Sequence, residues 1–299
     1  MNHERFFNKE NLQFRHNGGS YSSERHPNHN DDRYIVGDDY MGVFDGLGGM
    51  EGSERAAAIV AEYCQDALNK VNPVLYEETS ALVMESILYD ADTALKKLTN
   101  HTQQQLATTA AISKVFYQPV TNKPYLQIAH AGDSRIYVLR SDKIVICTLD
   151  HAATSQTLPD EERRNIQNEL ANYHYEHEID PYYYTHLYQR NIIGSCLTNI
   201  PAGDMYASNL IITTTAANLQ PGDVALAASD GVCDNLTDTE IVATVQNESS
   251  VSELLNLARK RSHEAKEIEE PHGEDMFIKR NFRPKADDMT CAILYAVPR

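Results

Sequence analysis

Nowhere in the 299 residues do about 18 apolar residues follow one another, so no stretch reads as a membrane-spanning helix. The opening MNHERFFNKENLQFRHNGGS also lacks the apolar run of a secretion signal. A soluble, cytoplasmic protein is expected; delivery into another cell by a route that needs no signal stays open. Cysteine is scarce. Cys64, Cys147, Cys196, Cys233 and Cys291 are odd in number and widely scattered, and no spacing among them suggests a zinc site or a disulfide framework. None lies in a Gly/Arg-rich loop able to cradle a phosphate, which argues against thiolate catalysis. The 12 histidines show no His-Glu-x-x-His spacing. Basic residues are outnumbered, with 26 Lys and Arg against 43 Asp and Glu, and the net charge of −17 argues against nonspecific nucleic-acid binding.

Low-complexity stretches and internal repeats are also missing, and 41% of the residues are hydrophobic, as in a chain that buries a large core. One α+β domain is the expectation. After a polar lead-in over 1–29, Tyr34–Val36 and Tyr40–Phe44 read as strands that run into the turn Asp45-Gly46-Leu47-Gly48-Gly49. A helix capped by Ser53 follows, with Ala56, Ile59, Val60, Tyr63 and Leu68 at helical spacing. A second helix covers about Thr79–Leu98. The period then changes: Thr108–Phe116, Tyr125–Ala131, Arg135–Leu139 and Lys143–Cys147 read as consecutive antiparallel strands. A polar flap or insertion is expected at about 151–206, rich in tyrosine. Strands resume at Asn209–Thr214 and Asp223–Ala228, short helices at Thr239–Val245 and Val251–Lys266, and a last strand at Met289–Val297. Strands in the middle with helices in pairs predict two packed antiparallel sheets with helices outside, an α/β/β/α four-layer sandwich.

Asp45, Asp230 and Asp287 stand at strand ends or in acidic turns: Phe44-Asp45-Gly46, Ser229-Asp230-Gly231 and Ala286-Asp287-Asp288. A single Asp-Gly step is ordinarily just a turn. Several that converge on one sheet rim would repel one another without counter-ions, and hard divalent cations want such oxygen ligands. Asp31-Asp32, just ahead of a strand, is as consistent with a solvated turn as with a ligand role. Asp133, in Gly132-Asp133-Ser134-Arg135, reads first as a hairpin cap.

Taken in order, these segments resemble the PPM family, the type 2C metal-dependent Ser/Thr phosphatases, from about Asn30 to Val297. Asn30-Asp31-Asp32 and Asp45-Gly46-Leu47-Gly48-Gly49 are similar to the family's first acidic motif and its Asp-Gly-x-Gly-Gly turn. Ala107-Thr108-Thr109-Ala110 resembles its Gly-Ser-Thr-Ala strand, and Gly132-Asp133-Ser134-Arg135 its hairpin. Asp150-His151, Ser229-Asp230-Gly231 with Asp234, and Asp287-Asp288-Met289-Thr290 resemble the remaining motifs. The resemblance implies a phosphatase domain over 30–299 that uses two Mn²⁺ or Mg²⁺ ions, with a possible third, to activate water against phosphoserine and phosphothreonine in a phosphorylated protein. By the same resemblance Asp45 bridges the metals, the Gly46 carbonyl ligates one, Asp230 and Asp287 complete the first site, and Asp32 with Asp31 holds metal-bound water. A third ion would fall to Asp133, Asp230 and Asp234.

The chain also departs from the pattern. Leu47 stands where animal members carry a histidine, as in bacterial members; Asp288 replaces an asparagine; and Arg25, the candidate phosphate-binding arginine, is two residues out of register. These departures keep a second expectation open, a catalytically weak binding or regulatory protein with a phosphatase fold. A two-metal nuclease is a third reading, disfavoured by the acidic surface.

Overall fold

The computed structural model describes residues 12–47, 52–99, 104–200, 210–245, 250–272 and 275–298. In chain order the elements are β1 (Leu12–Tyr21), β2 (Arg33–Val36), β3 (Tyr40–Phe44), α1 (Ser53–Lys70), α2 (Glu77–Thr99), β4 (Ala107–Thr108), β5 (Ala110–Tyr117), β6 (Pro124–Ala131), β7 (Arg135–Arg140) and β8 (Lys143–Cys147). They continue with α3 (Asp160–Asn172), α4 (Tyr184–Tyr188), β9 (Leu197–Thr198), β10 (Thr213–Asn218), β11 (Val224–Ala228), α5 (Asp230–Cys233), α6 (Asp238–Thr244), α7 (Ser250–Ser262), β12 (Glu267–His272), β13 (Asp275–Arg280) and β14 (Met289–Pro298).

Two five-stranded sheets, ordered β1-β14-β11-β7-β8 and β10-β6-β5-β3-β2, face each other. All their pairings are antiparallel. Alternation along each strand sends side chains to opposite faces. In β3 and β5, Met41, Val43, Ala111 and Val115 enter the layer between the sheets, where they meet Ile136, Val138, Ala227 and Leu294. Tyr40, Phe44, Ile112 and Phe116 turn outward under α1 and α2, against Val60, Leu68, Met84 and Leu88. The other sheet buries Tyr137, Leu226 and Ile293 under α5, α6 and α7. These three apolar layers make the α/β/β/α sandwich. Strands covered on both faces need apolar residues at successive positions, which is why β5, β6 and β14 read as continuous runs.

Several boundaries differ from expectation. Residues 12–21, expected to be lead-in, form β1 and pair with β14 along its whole length. An edge strand with one solvated face needs few apolar residues, so its polar sequence hid it. Helix α1 starts at Ser53, but the residue before it, Gly52 at φ 108°, is the cap, and no side chain completes it. The strand expected at 209–214 lies at 213–218. The hairpin β12–β13 was not expected. The flap holds α3 and α4, and it returns β9 to pair with β4 beside the site. Gly48, Gly49 and residues 201–206 lie outside the described residues. Among the described residues, no helix is long and apolar enough to cross a membrane.

Candidate metal centre

Asp45 follows β3 directly, at the rim of the second sheet. Its backbone is held from three directions: its N–H donates to Thr109 Oγ1 (3.1 Å), and its carbonyl accepts from Thr109 N (2.8 Å) and Thr108 Oγ1 (2.9 Å). Thr109 Oγ1 also lies 2.7 Å from Ser134 Oγ, which couples this turn to the Asp133 hairpin. Gly46 must be glycine, because a Cβ there would sit 2.5 Å from the Ser53 carbonyl oxygen and 2.8 Å from that of Asp31.

Asp230 opens α5 at the end of β11, in the other sheet. A Cβ on the next residue, Gly231, would lie 1.8 Å from the Asp288 carbonyl oxygen, so only glycine lets the Asp230 turn close on the Asp287-Asp288 turn. The Asp288 carboxylate is buried and accepts two backbone N–H groups, from Ser23 (2.6 Å) and Asp31 (2.5 Å). Two acceptor oxygens are what this position requires, which gives the aspartate in place of asparagine a structural job: it ties residues 23–31 to the rim.

The Asp133 hairpin is set by Gly132 at φ 113°. His151 braces it: His151 Nδ1 accepts from Gly132 N (3.2 Å), so Nε2 carries the proton and faces Thr213 Oγ1 at 2.9 Å. Burial pushes this imidazole down to about 3, so it is neutral. Its ring stacks on that of His130 at 4.6 Å. The neighbouring Asp150 takes a bidentate bond from buried Arg135, at 2.8 and 2.6 Å. The Asp-His step is therefore a brace for the hairpin.

The aspartates form one electrostatic unit. Burial, then the charges of Asp32, Asp230, Asp287 and Asp133, push the Asp45 carboxyl well above the usual range. Asp32 is only 3% exposed. Burial and Asp288, Asp230 and Asp287 raise it to about 8, against a bond from Ser229. Asp133 rises through burial, Asp230 and Asp150. Burial lifts Asp230 to about 6 although Lys285 pulls it down. Asp234 sits below the usual range because Lys285 and Arg190 outweigh its burial.

Lys285 was not singled out from the sequence. Its Nζ pairs with Asp230 Oδ2 and lies 3.2 Å from Asp287 Oδ2 and 3.5 Å from Asp234 Oδ2. Arg190, from the flap, reaches Asp234 Oδ2 at 3.6 Å. Arg283, 2% exposed, donates to the carbonyls of Leu236, Leu170 and Tyr173 at 2.7, 2.6 and 2.6 Å and so joins the flap to the α5–α6 region. Lys285 had a signal in the sequence, its position two residues before Asp287; Arg283 lies four residues before Asp287, and Arg190 is remote in sequence.

Two expected residues stand apart. The Asp31 side chain turns to His29 Nε2 (2.6 Å), and its backbone is what touches the site, its carbonyl accepting from Gly46 N at 3.3 Å. Arg25 is exposed, and its backbone N–H donates to Ser23 Oγ at 3.3 Å.

The donor set suits hard divalent cations. Asp32 Oδ2, Asp133 Oδ1 and Asp230 Oδ1 are buried without a hydrogen-bond partner among the described residues, which is costly for carboxylate oxygens unless a cation takes them.

Fold and site together define a four-layer sandwich with an oxygen-rich, carboxylate-lined rim. Residues 12–170 match the family Protein phosphatase 2C. Protein phosphatase 2C homolog 1 of Schizosaccharomyces pombe is 27% identical over 237 residues, 75% of this chain. The chain spans 60% of that relative's length. Among solved structures, serine/threonine phosphatase Stp1 from Staphylococcus aureus has a TM-score of 0.66 at 18% identity, covering 96% of this chain and 95% of that one. The catalytic domain of serine threonine protein phosphatase PstP, in complex with 2 manganese ions, has a TM-score of 0.65 at 20% identity, covering 96% of this chain and 100% of that one. This chain belongs to the protein phosphatase 2C family.

Proposed function

We propose that this chain is a metal-dependent phosphoprotein phosphatase that hydrolyses phosphoserine and phosphothreonine monoesters with water and without a covalent enzyme intermediate. One observation carries the reading: buried carboxylates from distant segments meet at one rim, and oxygens of Asp32, Asp133 and Asp230 there lack partners among the described residues. Asp45, the Gly46 carbonyl, Asp230 and Asp287 would hold two Mn²⁺ or Mg²⁺ ions, with Asp32 acting through water. When bound, such ions lower the pKa of water and neutralise charge on the phosphoryl oxygens.

The chain's own residues supply position. Thr108 and Thr109 hold the Asp45 backbone, Gly231 lets Asp230 approach Asp287, and Asp288 ties the Asp31-Asp32 segment to the same place. Leu47 leaves its turn without a side-chain proton donor, so the leaving group takes its proton from water or from a residue outside this turn. Cys147, Cys233 and Cys291 are poor alternative nucleophiles, since burial raises Cys147 and Cys291 to about 12 and Cys233 well above its ordinary value.

A second reading, a phosphatase-fold protein that binds without turnover, is favoured by one observation: Lys285 already lies among the carboxylates. Hydrolysis of an aryl phosphate separates the two. Turnover that needs Mn²⁺ or Mg²⁺, stops with chelator and is lost in Asp230→Asn supports the phosphatase. A folded protein that binds Mn²⁺ yet turns over nothing supports the second reading.

A further inference from the structure

We infer that Lys285 is a built-in cation of the acidic rim, its ammonium taking the place of a third metal ion between Asp230 and Asp234, so that this protein holds two metal ions and not three. The inference rests on the two-metal reading above and concerns the same site.

The position of Lys285 is constructed. Its backbone is clamped in both directions by the fully buried Asn235, whose Oδ1 accepts from Lys285 N (3.0 Å) and whose Nδ2 donates to the Lys285 carbonyl (2.9 Å). The same Nδ2 reaches the Gly231 carbonyl at 2.7 Å, so one side chain registers Lys285 against the turn that carries Asp230. Two residues earlier, Arg283 is locked by carbonyls from two segments, Leu170 and Tyr173 in one and Leu236 in the other. The lysine stem therefore starts from a rigid base, and its ammonium lies within 3.5 Å of Asp234 and 3.2 Å of Asp287 while pairing with Asp230.

The side of the cluster it serves is also defined. Its charge is among the leading ones acting on Asp133, Asp230 and Asp234. It is not among those acting most on Asp45 or Asp32. Arg190 adds a second cation on Asp234 at 3.6 Å. A divalent ion beside Asp234 would stand next to both positive side chains, and Coulomb repulsion at such distances is large at any protein dielectric. Asp45 and Asp32, on which Lys285 is not a leading charge, stay open to the two ions, while Asp230 and Asp287 are shared between the lysine and that pair.

The test is calorimetric titration of Mn²⁺ into metal-free full-length protein, wild type, Lys285→Gln and Lys285→Arg, with phosphatase activity measured on the same samples. The expected result is two ions in wild type and in Lys285→Arg, and in Lys285→Gln either a third ion or a weakest step tightened by roughly tenfold or more. Three ions in wild type overturn the inference, and this count needs no variant should Lys285→Gln fail to fold. Unchanged stoichiometry and affinities in folded Lys285→Gln overturn it as well. If neither protein binds Mn²⁺, the inference and the two-metal reading fall together. Two ions bound without turnover sink the phosphatase reading alone, and binding only in Lys285→Gln would show a lysine that excludes metal altogether, against the two-metal reading.

Discussion

The carbonyl oxygen of Asp288 lies 1.8 Å from the place a Cβ on Gly231 would occupy. Both are backbone positions, so neither can swing aside. Gly231→Ala is expected to cost about 1–3 kcal/mol of stability, as overpacking does, and to separate Asp230 from Asp287, weakening Mn²⁺ binding. Gly222→Ala is the control: at φ 89° it is strained, yet a Cβ there meets nothing within 4 Å. Urea unfolding with Mn²⁺ titration should show both losses at Gly231 and a loss of stability alone at Gly222.

His151 predicts an acid-sensitive hairpin. Its folded pKa is pushed down to about 3, well below its ordinary 6.5, so the unfolded chain binds the extra proton first as pH falls. The associated stability is complete above pH 6.5 and declines as pH drops toward 3. At about 1.4 kcal/mol per unit of pKa difference the effect is measurable. His151→Gln keeps an acceptor and a donor but does not titrate, and its stability profile over that window should be flatter than wild type. Parallel profiles would show that His151 does not carry the dependence.

The acidic rim predicts the opposite slope in metal-free protein. Asp32 and Asp230 are raised to about 8 and about 6, so the folded state holds protons that the unfolded chain has already released. Their stabilising contribution is complete below about pH 4 and is lost as pH climbs through 8. Metal-free melting temperature should fall between pH 6 and pH 8, and Mn²⁺ should restore it while releasing protons. Calorimetry in buffers of different ionisation enthalpy counts those protons; none released would contradict the raised values.

Arg283 predicts that the flap is stapled and not free. Replacing it with Leu removes the guanidinium donor from the carbonyls of Leu170, Tyr173 and the buried Leu236. Each lost partner costs about 1–3 kcal/mol before relaxation. Hydrogen exchange should accelerate in α3 and the turn after it, while the β5 and β6 amides stay protected. Uniform acceleration would mean global destabilisation instead.

Asp288→Asn tests what the second carboxylate oxygen of Asp288 does. An amide offers one acceptor oxygen where the structure uses two, so either the Ser23 or the Asp31 N–H loses its partner. The expected cost is about 1–3 kcal/mol, with faster exchange of 23–31 and little change in β14. An unchanged stability would show that the N-terminal segment is held by its strand pairing alone.

Much of this was legible in the chain. Apolar periodicity located α1, α2 and most strands of both sheets, because burial on one or two faces leaves a mark at every second or every third and fourth residue. The Asp-Gly turns marked Asp45 and Asp230 because glycine is needed where backbones meet closely. Strand β1 was not legible, since an edge strand takes its register from the neighbour it pairs with and not from its own apolar content. The same limit applies to the chemistry of the site. Residue order named the aspartates, but only the tertiary structure turned Asp31 away to His29, committed Asp288 to two backbone donors and set Lys285 among Asp230, Asp234 and Asp287. Such choices depend on distances between segments remote in sequence, and local sequence carries no record of them.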